Sequence, residues 1–270
     1  MYDTSELHPH IREIVESDPL FNSAPSQLWT INNAKTSKGE SLGYLTAILY
    51  LSPADLLSVR LNLCPSAKLA GCIDGCLNTA GRGAFNSVQR ARMRKTLYWW
   101  QYRDEFMALL VRDIERVTRM ADRPGLKLAV RLNGTSDIRW EKQYIPIAPI
   151  NTNASDHRTI FDLFPTTQFY DYTKIPGRTV PSNYDLTFSS SARVEFQPIL
   201  AKQLKHNPTS RLAMVTKNPF ILSAAESAGH SGDKHDLRFL DPQGVRIFLS
   251  AKGKMKHDNS GFCYQSHNWR

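Results

Sequence analysis

Apolar positions in this chain fall into two kinds of run that take turns along it. Short, dense runs at 43–52, 126–133, 169–173, 184–188, 212–216 and 245–250 end in polar or glycine-containing stretches, the pattern of buried strands. Between them lie stretches with apolar residues at three- and four-residue steps. The longest, 86–121, sets Met93, Leu97, Trp100, Met107, Leu110, Ile114 and Val117 along one amphipathic helix, with Ser87 as its cap and Pro124-Gly125 as its stop. Further helices are expected at 159–164, 192–204 and 219–228. Strands alternating with helices predict parallel β–α–β units with right-handed crossovers. About six strands fall short of the eight of a closed barrel. The expected fold is therefore α/β, a partial or open parallel β/α barrel, with a doubly wound parallel sheet as the alternative. A single domain over 1–270 accommodates it, with a polar N-terminal segment at 1–42. In either architecture the functional groups belong on loops leaving the C-terminal strand ends.

The loop after the first strand carries the most specific chemistry. Cys64, Cys72 and Cys76 fall within thirteen residues, among Gly71, Gly75, Gly81 and Gly83. Thiolates are soft donors for iron and zinc, and glycine lets a loop double back and bring backbone N–H groups near cluster sulfides. The first expectation is a [4Fe-4S] cluster on these three thiolates, with one iron open to a ligand. Cys263, in the stretch SGFCY near the C-terminus, is a candidate fourth ligand that would close the site. Zinc is the alternative to the cluster, with Cys263, His230 or His235 completing four ligands; three small buried cysteines in a loop are the plainest reading.

Composition bears on partners and location. Hydrophobic residues make up 41% and charged residues 22%, the balance of a folding chain rather than a disordered one. A formal charge of +9 makes nucleic acid a candidate partner, although the basic residues are spread out, with one local density at Arg90, Arg92, Arg94 and Lys95. Residues 1–19 carry five acidic groups and no apolar run, so neither a secretory signal nor a membrane anchor is expected there. The expected location is cytoplasmic, where clustered cysteines serve more often as ligands than as disulfides.

Polar residues at the other strand ends are candidates to orient a small-molecule ligand: Asn133 and Asp137, Asp171 and Lys174, Ser189 to Ser191, and Thr216 with Lys217. Ordinary turn and capping chemistry accounts for the same residue types. Arg82, between Gly81 and Gly83, is the preferred single anion contact. The segment 230–236 offers two imidazoles and two carboxylates and reads as an exposed loop. Trp99, Trp100 and Tyr102 lie beside Arg92 to Arg103, where bases could stack; helical phase puts Trp100 in the core.

At these same residues the chain resembles an uncharacterised bacteriophage family, the gene product 88 family. The resemblance is carried by YLTAILYLSPAD at 44–55, LCP at 63–65, CLNTAGRG at 76–83, RLNGTSDI at 131–138 and KHDLRFLDP at 234–242. It implies a phage origin and a role in the infected host cell, without an activity. The order strand, cysteine loop, long helix, strand is also similar to radical S-adenosylmethionine enzymes. That likeness implies a four-iron cluster whose open iron takes the methionine moiety of S-adenosylmethionine. The spacing here, seven residues and then three, departs from that family's three and two. Two functions are therefore expected: an iron–sulfur enzyme, or a non-catalytic, metal-stabilised protein binding nucleic acid or an unidentified host protein.

Overall fold

All six dense apolar runs form strands. In the computed structural model, which describes residues 2–31, 37–146 and 158–265, they are β2 (Tyr44–Leu49), β3 (Lys127–Arg131), β4 (Gln168–Thr173), β5 (Tyr184–Ser189), β6 (Leu212–Thr216) and β7 (Arg246–Ser250). A seventh strand, β1 (Trp29–Thr30), pairs antiparallel with the end of β2, Trp29 opposite Leu49. The strands lie in one mixed α/β sheet in sequence order, β1 to β7, and every pair from β2 onward is parallel. The sheet is open, with β1 and β7 at its edges.

The N-terminal segment, read from sequence only as polar, contributes more than an entry. Its helix α1 (Pro9–Ser17) buries Ile11 and Val15 against Tyr2, Leu7, Phe21, Leu57, Met93 and Leu97. Those apolar residues are isolated among charges, so no run announced them. Two short helices follow, α2 (Ser37–Glu40) and α3 (Ala67–Ala70).

The long amphipathic stretch is two helices, α4 (Asn86–Gln101) and α5 (Arg103–Asp122), broken at Tyr102. The Arg103 guanidinium takes the Trp99 carbonyl, Nε to O at 2.7 Å, and sits 3.5 Å from the centre of the Trp99 ring. Trp99 is consequently the buried member of the pair and Trp100 only half-buried, the reverse of the expectation from phase. The α4 N-cap is Phe85 rather than Ser87, and it makes no side-chain cap. The remaining helices are α6 (Ile160–Leu163), whose Thr159 and Asp162 form a capping box, α7 (Gln197–His206) and α8 (Pro219–Ser227). Among the described residues no helix is long and apolar enough to cross a membrane.

Strand alternation sorts the side chains onto two faces. Ala47 and Leu49 of β2, with Leu128 and Val130 of β3, pack against Phe106, Leu110, Ile114 and Val117 of α5. On the far half, Phe188, Leu212, Met214 and Phe248 pack with Phe196, Ile221 and Ala225. The other face holds Ala129 and Tyr170, and Leu237 and Phe239 cover it. The stretch around 232–239 is thus a lid on the inner face of the sheet, not the exposed loop its polarity suggested.

One close backbone approach holds the C-terminal ends of β2 and β3 together. The Gly134 N–H donates to the Leu49 carbonyl at 2.9 Å, and a Cβ at 134 would stand 2.6 Å from that oxygen. Gly134→Ala should therefore cost roughly 1–3 kcal/mol through overpacking, read as a lowered midpoint in thermal or urea unfolding, and a stability equal to the unsubstituted protein would show that the strand ends can part.

Candidate metal centre

The chain leaves β2 at Leu49 and runs through Pro53 into the cysteine loop. Leu63 N–H bonds the Ala54 carbonyl at 3.0 Å, and Asp137 N–H bonds the Leu63 carbonyl at 2.7 Å, so the loop begins fastened to the end of β3. Gly71, at φ 76°, ends α3 in the left-handed conformation and turns the chain back before Cys72. Cys76 then caps a short 3-10 turn, its sulfur 3.5 Å from the Asn78 N–H. Hydroxyls from other loops hold the carbonyls of this stretch: Ser191 Oγ donates to Ala70 at 2.7 Å and Ser260 Oγ to Gly71 at 2.6 Å.

Cys64, Cys72 and Cys76 all line one cavity of about 710 Å³ at the C-terminal ends of the parallel strands. Its walls include Asn133, Asp137, Lys174 and Ser189 from the strand ends, and Asp233, His235 and Asp236 from the inner lid. Burial pushes the Cys64 thiol far above its ordinary range, with Asp137, Cys76 and Cys72 adding repulsion. The Cys76 thiol is raised by the same cause, opposed by the Asn78 N–H, Lys174 and Arg92. Cys64 Sγ donates to the Thr135 carbonyl at 3.5 Å, as a protonated thiol does, whereas Cys76 Sγ accepts from the Asn78 N–H. Among the described residues no three His, Cys, Asp or Glu side chains converge closely enough to hold a single metal ion. That statement includes His230 and His235.

The other candidates separate. Cys263 lies off the cavity, buried among Phe262, Met255 and the β6–β7 side chains, with its thiol raised to about 12 by burial. Arg82 is exposed and does not line the cavity. Lys217 does not line it either, and its Nζ donates to the Asp258 carbonyl at 2.6 Å.

Asn133 and Asp137 do line the cavity, but their polar atoms serve the fold. Asn133 Oδ1 accepts from Ser136 Oγ, Ile138 N–H and Trp140 Nε1 at 2.8 to 3.1 Å, and its Nδ2 donates to Ile138 O and Asp171. Asp137 accepts from Thr173 Oγ1 at 2.8 Å and Lys174 N–H at 2.7 Å. Asp171 accepts from Asn133 N–H at 2.7 Å and Tyr184 OH at 2.8 Å, and burial raises it to about 7 against the pull of Arg131.

Arg131, and its pairing with the Asp236 carboxylate of the 230–236 segment, had no place in the sequence-based expectation. Arg131 Nη1 meets Asp236 Oδ2 at 2.8 Å, and the guanidinium lies 4.7 Å from the centre of the Tyr172 ring. An arginine in an otherwise apolar strand, with an aspartate in a segment of the same family motif set, was the available signal.

Two measurements follow from these groups. Asp236→Ala leaves the buried Arg131 with only the more distant Asp171, at 3.9 Å, and should cost roughly 3 kcal/mol of unfolding free energy, partly recovered by adding Arg131→Met; an unchanged urea midpoint would mean that the pair is dispensable. Acids whose pKa is raised by folding contribute stability that is complete below their unfolded value and lost as pH climbs through the folded one. Metal-free protein should therefore lose stability from about pH 8 upward, near the ordinary cysteine value, and Cys64→Ala should flatten that slope in thermal melts taken across the alkaline range.

No curated protein and no solved structure matches this chain. One family model does, the one described as gene product 88, and it spans residues 26–266, from just before β1 to beyond the last described residue. The chain belongs to the gene product 88 family.

Proposed function

We propose that this phage-family protein binds a [4Fe-4S] cluster through Cys64, Cys72 and Cys76, inside a partial β/α barrel, and acts in the infected host cell on a small molecule. The observation that carries this reading is the meeting of the three thiols on one cavity at the C-terminal ends of parallel strands, with Cys263 off it. Sequential strand order without reversal supports the partial barrel, since a doubly wound sheet reverses its order at a switch point. Three thiols on one loop with no fourth thiol on the cavity suit a cluster with one open iron better than a closed zinc site, which takes four protein ligands.

A cluster so held supplies one-electron chemistry, with one iron left for a ligand such as S-adenosylmethionine. The chain's own part is to shape and desolvate that place. Apolar side chains including Ala54, Ile73, Val215, Leu249 and Phe262 line the cavity and exclude water, which strengthens every charge interaction inside it. The Asn78 N–H is set to hold the Cys76 sulfur. Lys174, with Nζ on Ser189 Oγ at 2.6 Å and 5.0 Å from the centre of the Phe262 ring, presents a cation at the wall. It can orient an anionic group of the ligand.

Anaerobic purification with iron, sulfide and zinc analysis is the test. About four irons and four sulfides per chain are expected, lost in Cys72→Ala and retained in Cys263→Ala. Stoichiometric zinc without sulfide, or no metal in protein reconstituted with iron and sulfide, would overturn the cluster and favour the non-catalytic binding protein.

A further inference from the structure

Behind the cysteine loop, away from the cavity lining, the structure buries a positive charge that no carboxylate among the described residues meets. Arg92 is 7% exposed. Its Nη1 donates to the Asn78 carbonyl at 2.6 Å and to Asn78 Oδ1, and its guanidinium lies 4.8 Å from the centre of the Tyr50 ring. Its Nε is buried without a partner. The other buried arginines each face an acid: Arg131 faces Asp236, Arg211 faces Asp185 and Arg238 faces Asp241. Arg92 forms no ion pair among the described residues. A guanidinium keeps its proton under any ordinary condition, so folding has placed a permanent cation where the described residues offer no counter-ion.

What lies across from it supplies the reason. The Asn78 whose carbonyl and amide Arg92 grips is the residue whose N–H points at Cys76 Sγ. The grip is tight: Gln89 Nε2 bonds the same carbonyl at 2.8 Å, and its Oε1 accepts from Asn78 Nδ2 at 2.9 Å. Gly83 packs so closely that a Cβ there would stand 2.6 Å from the Asn78 oxygen and 3.3 Å from both terminal nitrogens of Arg92. Within this wedge Asn78 has no freedom to turn its N–H away from the sulfur. Burial opposes the charge of Arg92, and Tyr50 and Cys76 are the anionisable groups whose field favours it.

We propose that Arg92 is a positioning residue and the built-in counter-charge of the metal-bound Cys76 thiolate, holding the Asn78 N–H on the sulfur and raising the reduction potential of the cluster. The inference rests on the cluster reading above. A nearby fixed cation and a hydrogen bond to sulfur both favour the more negative, reduced form.

The experiment compares the unsubstituted protein with Arg92→Gln, which removes the charge but keeps a donor near Asn78, and Arg92→Lys, which keeps the charge. Each is reconstituted anaerobically with iron and sulfide, assayed for both, and titrated redox-wise with detection by electron paramagnetic resonance; metal-free samples are melted in parallel. The midpoint potential should move negative in Arg92→Gln and return most of the way in Arg92→Lys. Metal-free Arg92→Gln should melt no lower than the unsubstituted protein, because it sheds an uncompensated buried charge. A loaded Arg92→Gln with an unchanged midpoint sinks the role of Arg92 alone, and so does a large drop in its metal-free melting temperature, the mark of a mere structural strut. An unsubstituted protein that takes up no cluster overturns this inference and the cluster reading together.

Discussion

Arg131 projects from a parallel strand into the interior, where an unpaired charge costs several kcal/mol, and the shape of the cavity follows from how that charge is met. A parallel sheet must cover both faces. Here helices cover one, and the stretch around 232–239 covers part of the other because Asp236 is drawn onto Arg131 at 2.8 Å. Asp233 fastens the same stretch at its rim, accepting from Lys252 Nζ at 2.7 Å and the Ser250 N–H at 2.9 Å. Glycine at 232 is what allows the close approach, since a Cβ there would meet Ile247 and Leu249 at 2.7 Å. The inner face is thus closed beneath and left open toward the C-terminal strand ends, where the cysteines stand.

Most of the polarity at those ends is consumed in building the wall. A loop that enters a protein interior must satisfy its own N–H and C=O groups, and Asn133, Asp137, Ser191 and Ser260 do so for the segments on either side of them. A ligand in the cavity therefore meets few uncommitted side chains there. Besides these wall groups, the thiols, Lys174, Asp74 and Lys254 also face the cavity. Specificity in such a site comes from shape and electrostatics set in advance rather than from side chains that move to meet the ligand.

The parts of this architecture that were legible in the sequence are those dictated locally. Dense apolar runs gave six strands because a strand buried on both faces has no polar side to show, and the glycines among the three cysteines announced a turning loop, which carries all three to one cavity. What stayed hidden depends on partners distant along the chain. Trp29 becomes strand only because Leu49 offers it an edge. The break at Tyr102 depends on where the Arg103 guanidinium finds a carbonyl. Asp236 reads as a solvated loop residue until Arg131, 105 positions away, is brought opposite it. Cys263 and Lys217, reasonable candidates by residue type, are carried elsewhere by the packing of the C-terminal segment.

The arrangement also explains how loading at the sulfurs would reach the rest of the molecule. Burial raises both the Cys64 and Cys76 thiols, so a metal centre bound there would expel protons and place thiolates where the empty fold disfavours charge. The work of doing so falls on the groups that touch the loop. Ser191 on the β5 side and Ser260 in the C-terminal segment grip its carbonyls, Asp137 grips its entry from β3, and Arg92 grips Asn78 from α4. Free energy gained at the sulfurs would therefore be shared among four separate stretches of chain. Loading would tighten all four rather than the loop alone, because each holds a different carbonyl of that loop.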